Sequence, residues 1–262
     1  MYLYLIEMVF LLEHQMNYKK VLILGGTENA ARLAFQISRK LPKIKLITSL
    51  AGRTSKPKKI YGSVRNGGFG GPEGLANFIS GNNITLLIDA THPFSTRISE
   101  NAIAACSKAN VPRAILSRPE WKLPPKANCT EVRTLANAAT AIDQKAQRVF
   151  LTTGAKNLDL FETLNNKWFL IRLIEKPQKK INIKNYKLLL SRPPYGFKSE
   201  RKLLLDNKID CLISKNSGSD ATKSKIMAAL HLDIQVILVS QPSPPPGLIF
   251  FSVVECIDWL RF

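Results

Sequence analysis

Short apolar runs alternate along the chain with segments in which apolar residues recur at helical spacing. The runs "VLIL", "KLITSL", "LLID" and "AILS" have the length of buried strands. After the first of them, apolar side chains at Leu33, Ala34, Ile37 and Leu41 fall on one face of a helix. Strands that alternate with helices predict βαβ units, and therefore a parallel sheet.

A second series of the same kind follows a proline-rich stretch at 119–130. Its predicted strands are "RVFLTTG", "WFLIRLI", "KLLLSRPP", "DCLISKNSG" and "DIQVILVSQ". We therefore predict an α/β protein of two Rossmann-like lobes with mostly parallel sheets and an active-site cleft between the lobes. The expected bounds are 20–120 and 121–262, and the second lobe includes the last strand and helix in "LIFFSVVECIDWL". Residues 1–19 are expected to be a non-native or disordered extension, because Met8 and Met16 offer later starts.

Charge and cysteine usage narrow the class of ligand. The formal net charge is +19, from 38 Lys and Arg against 19 Asp and Glu, which predicts an anionic ligand. No block of five or six like charges and no basic stretch interleaved with aromatic residues is present, so a nucleic-acid partner is not expected. The four cysteines form no CxxC, which predicts reduced thiols, a cytoplasmic location and no metal centre. Glu7 and Glu13 interrupt the apolar start, so no membrane partner is expected.

A glycine turn joins the first strand to the first helix. Gly25, Gly26 and Thr27 form a GGTxxA variant of the glycine fingerprint, and backbone N–H groups at such a helix start suit a phosphate. A plain tight turn is the alternative. The second strand ends in "SLAGRT", with Arg53 where an acid would bind the ribose 2′-hydroxyl of NADH. This favours NADPH as the cofactor, with NADH as the alternative.

The stretch "RNGGFGGPEGL" is too rich in glycine for a helix or strand. Such a loop can lie close against a cofactor or a flat ring, with an arginine adding charge and a phenylalanine an apolar face. The alternative is a mobile surface loop. The predicted cofactor contacts are Arg65, Gly67, Gly68 and Phe69, and the predicted substrate contacts are Gly70 and Gly71.

The segment "IDATHPFS" ends a predicted strand, where open parallel sheets bind their ligands. Asp89, Thr91 and His92 are its candidate catalytic residues. An imidazole titrates near neutrality, so His92 could serve as a general acid. The alternative is a structural histidine that is hydrogen-bonded to backbone.

In the second lobe, polar turns follow several predicted strands. Helix starts of this kind attract anions, and each is alternatively a simple helix cap. The candidate substrate-binding residues are Thr152, Gly154, Arg192, Tyr195, Lys215, Asn216 and Ser217.

Together, several of these segments resemble the precorrin-6A reductase family of cobalamin biosynthesis. The matching stretches include "LILGGTENAARLA", "RNGGFGGPEGL", "IDATHPF" and "LISKNSGSDATKSKI", and they come in the family's order over 21–240. The resemblance implies NADPH-dependent reduction of a macrocycle double bond in precorrin-6A, or in cobalt-precorrin-6A, to give precorrin-6B. It further implies hydride transfer to C19 and protonation of a neighbouring ring carbon.

On this resemblance the glycine turn holds the cofactor's phosphates, Arg53 holds its 2′-phosphate, and the second lobe meets the substrate's carboxylates. Transient contact with neighbouring enzymes of the pathway is also expected. Two other functions stay open. One is a different NAD(P)-dependent two-lobed reductase, and the other is a non-catalytic tetrapyrrole- or nucleic-acid-binding protein.

Overall fold

The computed structural model describes residues 18–52 and 60–261. The strands are β1 (Lys20–Leu24), β2 (Lys45–Leu50), β3 (Ser63–Asn66), β4 (Leu86–Asp89), β5 (Arg113–Leu116), β6 (Cys129–Val132), β7 (Arg148–Leu151), β8 (Trp168–Leu173), β9 (Tyr186–Leu190), β10 (Cys211–Lys215), β11 (Gln235–Val239) and β12 (Leu248–Phe250). The helices are α1 (Glu28–Lys40), α2 (Pro72–Gly81), α3 (Thr96–Ala109), α4 (Leu135–Thr140), α5 (Phe197–Asp206), α6 (Asp220–His231) and α7 (Val253–Trp259). A 3₁₀ turn spans Leu158–Phe161.

The chain divides into two units, each built on one six-stranded sheet. The first unit takes the described residues of 1–117 and 244–262, and the second takes 118–243. The strand orders are β3-β2-β1-β4-β5-β12 and β9-β8-β7-β10-β11-β6, and the strand pairs are parallel. The predicted α/β class with parallel sheets is confirmed.

Both sheets follow the 3-2-1-4-5-6 order of doubly wound dinucleotide-binding folds. The sixth position of the first sheet is filled by β12, from the C-terminal end of the chain. The sixth position of the second sheet is filled by β6, which follows β5 directly along the chain. The two units have therefore exchanged their sixth strands.

Two predicted bounds differ from the structure, namely the C-terminal end of the second lobe and the end of the expected N-terminal extension. The prediction that the last strand and helix belong to the second lobe is wrong, because β12 pairs with β5 and the apolar face of α7 lies in the first core. Closeness along the chain does not decide this pairing, since β12 follows β11 of the second sheet by only a short segment and yet pairs with β5. At the other end, Tyr18 is buried and its ring lies 5.3 Å from that of Trp259. The expected extension 1–19 thus contains a core residue, and 1–17 lies outside the described residues.

Further elements differ from the sequence prediction, and helix α4 is one that was not predicted. The strands β3 and β6 were not predicted, and both lie at sheet edges with side chains that are largely exposed, so neither has a buried apolar run. The segment "KNLDLFETL" has the pattern of a helix in the second series, and only the short 3₁₀ turn Leu158–Phe161 forms there.

Helices cover both faces of the first sheet, which explains why β1 is apolar at consecutive positions. Val21 and Ile23 face one core cluster, with residues of α1 and α7. Leu22 and Leu24 face the opposite cluster, with residues of α2 and α3. In the second unit, α5 and α6 pack against the buried side chains of β7, β8 and β10. Across the described residues, no helix has both the length and the apolar character needed to cross a membrane.

The first unit should depend on α7 for its stability. Ile257 is 1% exposed, so Ile257→Ala should lower the free energy of unfolding by about 2 to 5 kcal/mol. Val254, on the same helix, is 66% exposed, and Val254→Ala should change it by less than about 0.5 kcal/mol. Hydrogen exchange should accelerate mainly at amides of the first unit. Acceleration confined to 118–243 would contradict this assignment of α7.

Candidate functional site

The strand order of the first sheet reverses between β1 and β4, whose carboxyl ends are neighbours. Leu24 pairs with Asp89, and the N–H of Ala90 donates to the carbonyl of Leu24 at 3.0 Å. Open α/β sheets bind their ligands outside such a reversal. The two segments that follow these ends are the predicted glycine turn and the predicted catalytic segment, so the fold brings them together.

The glycine turn has the backbone that a close ligand requires. Gly26 has a φ of +102°, and a Cβ built there meets no atom within 4 Å. Gly25 is packed from below, since its Cβ would lie 2.9 Å from Cγ2 of Thr48. The turn is therefore closely packed at Gly25 and open at Gly26, and it leads into the start of α1, the kind of helix end that binds anions.

Thr27 uses its side chain within the protein. Its hydroxyl accepts from the N–H of Ala30 at 3.1 Å, which caps α1, and donates to the carbonyl of Ala90 at 2.7 Å. It thereby ties the end of β4 to the start of α1. Any contact of Thr27 with a phosphate is left to its backbone N–H.

Arg65 shapes the glycine-rich loop. Its Nη1 and Nη2 donate to the carbonyls of Gly67 and Gly68, each at 2.6 Å. The guanidinium lies 3.9 Å from the ring centre of Phe69, which in turn packs edge-on against Phe78. Arg65 and Phe69, which were predicted to contact a cofactor, therefore stabilise the conformation of the loop.

The loop nevertheless presents open backbone. Gly67, Gly70 and Gly71 have φ values of +103°, +82° and +95°, and a Cβ on any of them meets no atom within 4 Å. Gly74, which the sequence analysis did not select, is required for packing, because its Cβ would lie 1.7 Å from the carbonyl oxygen of Phe69. Its position inside a helical pattern hid this role.

Asp89 is 3% exposed and organises the predicted catalytic segment. Its Oδ1 accepts from the N–H and the hydroxyl of Thr91, at 3.1 and 2.7 Å, and its Oδ2 accepts from Ser99 at 2.5 Å. Nδ1 of His92 accepts from the N–H of Phe94 at 3.3 Å, which assigns the ring proton to Nε2. The carboxylate thus fixes the turn that carries the imidazole.

The second sheet reverses in the same way between β7 and β10. The N–H and the hydroxyl of Thr152 both donate to the carbonyl of Ile213, each at 3.0 Å. The hydroxyl of Thr153 is buried without a hydrogen-bond partner among the described residues. Gly154 has a φ of +87° with open space around its Cβ direction. The predicted turn therefore lies at a second reversal point.

After β10, the predicted residues are partly structural. Asn216 is buried, and its Oδ1 accepts from the N–H of Trp121 at 2.9 Å. The Ser217 hydroxyl lies 3.3 Å from that of Thr222 in the first turn of α6. Lys215 is half-buried at the end of β10. These contacts fix the turn directly beside Thr152.

Arg192 and Tyr195 follow β9. Arg192 forms an ion pair with Glu175, and its side chain is still 42% exposed. Tyr195 donates its hydroxyl to the carbonyl of Ser191 at 3.0 Å. The guanidinium of Arg192 is therefore accessible to an anionic ligand, whereas the hydroxyl of Tyr195 is used in a hydrogen bond within its own loop.

Three buried charged residues that lie close together in this unit, Arg172, Glu200 and Lys225, were not predicted from the sequence. Arg172 and Glu200 form a two-pronged ion pair at 2.7 and 2.8 Å. Beside them, burial lowers the pKa of Lys225 to about 7, an effect that Arg172 strengthens and Glu200 opposes. One signal was present in the sequence, since the arginine in "LIRLI" interrupts an otherwise apolar strand and therefore needs a buried partner.

Arg53 lies outside the described residues. The described end of β2 and its loop, 49–52, contains no acid that would bind a ribose 2′-hydroxyl. In the described part of the chain, no group of three or more His, Cys, Asp or Glu could hold a metal ion.

Comparison with known proteins agrees with this geometry. A family described as "Precorrin-6x reductase CbiJ/CobK" matches residues 20–261. The chain belongs to this family.

The precorrin-6A reductase of Rhodococcus erythropolis is 38% identical over 228 residues, covering 87% of this chain and 91% of that protein. A solved structure titled "CobK precorrin-6A reductase" superposes with a TM-score of 0.86 at 31% identity, covering 93% of this chain and 96% of that one. A cobalt-precorrin-6A reductase of Methanocaldococcus jannaschii is 31% identical over 192 residues, covering 71% of this chain and 76% of that protein.

Arg65 should determine the order of the glycine-rich loop. Arg65→Met removes both hydrogen bonds to the loop carbonyls, so amide exchange within 66–71 should become about tenfold faster or more. Arg39→Met is the matched control, because Arg39 also stacks on a ring, that of Phe35, but lies far from the loop in sequence. Unchanged exchange at 66–71 in Arg65→Met would show that the loop does not need this arginine.

Lys225 should make stability depend on pH. Its folded pKa of about 7 lies below the ordinary 10.5, so between these values the unfolded chain binds a proton that the folded protein lacks. The penalty of burying the charge is fully present below pH 7 and disappears as pH rises towards 10.5. Denaturant unfolding should therefore show stability rising over this window.

In Lys225→Met that contribution to the rise should vanish, and the variant should be the more stable protein near neutral pH. Lys198→Met, at an exposed position of α5, should keep the wild-type profile. Parallel profiles for wild type and Lys225→Met would contradict the depressed pKa.

Proposed function

We propose that this protein reduces a ring double bond of precorrin-6A with NADPH, giving precorrin-6B in cobalamin biosynthesis. Family membership supports an oxidoreductase that acts on a CH–CH group. The observation that carries the proposal is the first reversal point, where a glycine turn with open backbone lies beside the Asp89–Thr91 segment in a dinucleotide-binding strand order.

The residues at that point fit a nicotinamide dinucleotide. Gly26 leaves room for close approach of a pyrophosphate, and the first turn of α1 supplies N–H donors. The loop at 67–71 adds a second strip of open backbone. When bound, the cofactor supplies a hydride. Arg53 is proposed to select NADPH by binding its 2′-phosphate, in keeping with the absence of an acid at 49–52.

The catalytic segment acts through a fixed turn. We assign Asp89 and Thr91 to positioning, because the carboxylate and the hydroxyl are hydrogen-bonded to each other. His92 lies at the end of this turn with the ring proton on Nε2, and we propose that it orients the nicotinamide end and the reacting ring. The reaction adds a hydride and one proton across a carbon–carbon double bond.

The second unit is proposed to bind the tetrapyrrole. The substrate carries many carboxylates, and the net charge of +19 favours its approach. The candidates are the segments at the second reversal point and after β9, with Arg192 and Lys215 as the charged members. Gly154 and the neighbouring threonines supply backbone and hydroxyl groups to the same turn.

Cobalt-free precorrin-6A is the preferred substrate, because the relatives of higher identity carry that name. The similarity to the M. jannaschii protein makes cobalt-precorrin-6A the second candidate. The four cysteines are free thiols, which supports a cytoplasmic location. The proposed partner is a small molecule and not a nucleic acid.

The test is NADPH oxidation by the purified protein with precorrin-6A made enzymatically in the same tube, with mass analysis of the product. A gain of two hydrogens matched to the NADPH consumed is expected. A parallel reaction with cobalt-precorrin-6A ranks the two substrates. NADPH oxidation without a reduced tetrapyrrole would favour a different reductase, and the absence of NADPH binding would overturn the proposal.

Gly26 should control the cofactor site. Gly26→Val places a branched side chain where φ is +102° and projects it into the open space, so the Kd for NADPH should rise at least about tenfold. Gly81→Ala is the control, because its Cβ also meets open space but its φ is not positive. That variant should bind NADPH normally and gain at most about 1 kcal/mol of stability. Normal NADPH binding by Gly26→Val would exclude this turn as the phosphate site.

A further inference from the structure

The buried pair of Arg172 and Glu200 connects the second sheet to a loop of the proposed substrate site. Arg172 is the penultimate residue of β8 and is 8% exposed, and Glu200 lies in the first turn of α5. Both terminal nitrogens of the guanidinium donate to the two carboxylate oxygens, at 2.7 and 2.8 Å. The carboxylate thereby fixes the plane of the guanidinium.

The ring of Tyr195 lies against the guanidinium group of Arg172. The guanidinium carbon lies 4.1 Å from the ring centre, within the range of a strong cation–π contact. The backbone of Tyr195 is held from α6, since its N–H donates to Ala221 at 3.1 Å and its carbonyl accepts from Ser224 at 2.5 Å. Its hydroxyl reaches back to the carbonyl of Ser191 at 3.0 Å. Tyr195 therefore stabilises the loop at 191–196 in a conformation that is packed against Arg172.

Stability alone does not account for such a pair. A buried ion pair costs desolvation of both groups, and apolar residues of similar volume often stabilise a core equally well or better. Lys225 is buried beside the pair, and Arg172 contributes to lowering its pKa, so a further positive charge is disfavoured there. An apolar pair would lack the planar guanidinium group, whose cation–π contact orients the ring of Tyr195.

We propose that Arg172, held in its plane by Glu200, is a positioning residue that sets the conformation of loop 191–196 and so presents Arg192 to the substrate. This proposal rests on the proposed function, since it assumes that the loop binds the tetrapyrrole. Arg172 contacts no ligand in this role and acts through Tyr195.

The test is the double variant Arg172→Met/Glu200→Met, which removes both charges together and leaves neither unpaired. It should fold, with a thermal midpoint at or near that of wild type. The KM for precorrin-6A should rise at least about tenfold, while the KM for NADPH stays unchanged. Arg172→Lys keeps the charge but not the flat fork, and should give an intermediate KM.

Lys167→Met is the matched control. Lys167 is also a buried cation of the second unit, but it donates to the backbone carbonyls of residues 143, 144 and 146. It should lower the thermal midpoint and leave the KM for precorrin-6A unchanged. An equal rise of KM in Lys167→Met would show that general loosening of the unit is the cause, and would overturn the proposal.

Amide exchange at 191–196 provides a readout that needs no substrate. It should accelerate in the double variant and in Arg172→Lys. Wild-type exchange and wild-type KM in a folded double variant would overturn the proposal, and if that variant does not fold, Arg172→Lys decides by the same two measurements. Failure of the wild-type protein to reduce precorrin-6A would instead count against the proposed function, with the exchange data still deciding the role of Arg172.

Discussion

The parallel pairing of the two central strands in each sheet is the constraint on which both candidate sites depend. Because β1 lies beside β4 and β7 beside β10, the segments that leave their carboxyl ends must emerge next to each other. Chain distances of about 60 residues are closed in this way, as the hydrogen bond from Thr27 to Ala90 illustrates. The chemistry of each site is then decided by what these short segments contain.

The short segments divide into groups that hold the site and groups that remain open to a ligand. Arg65, Asp89 and Asn216 form hydrogen bonds with neighbouring backbone or hydroxyl groups. The open positions are mainly glycine backbone, at Gly26 and Gly154 among others. The segments held by Arg65 and Asp89 are therefore preorganised for a ligand.

Much of the fold and of the candidate site could be predicted from the sequence, for physical reasons that differ between elements. Buried parallel strands such as β1 are recognisable as apolar runs in the sequence. Their carboxyl ends therefore indicate which turns contain the candidate site residues. Edge strands carry no such pattern, which is why β3 and β6 escaped prediction. The pairing of β12 with β5 joins segments that are far apart in the chain, so no local pattern predicts it. The hydrogen bonds of Arg65 depend on the conformation of its loop, which residue spacing does not reveal.

The exchange of sixth strands has a consequence for how the protein is made. During synthesis β5 emerges early, but the strand that covers its edge is encoded after the whole of the second unit. While the more than one hundred residues of the second unit are translated, the β5 edge of the first sheet therefore lacks its partner strand. All strands of the second unit have been translated by residue 243, before the first unit receives β12, so the order of translation does not favour the N-terminal unit.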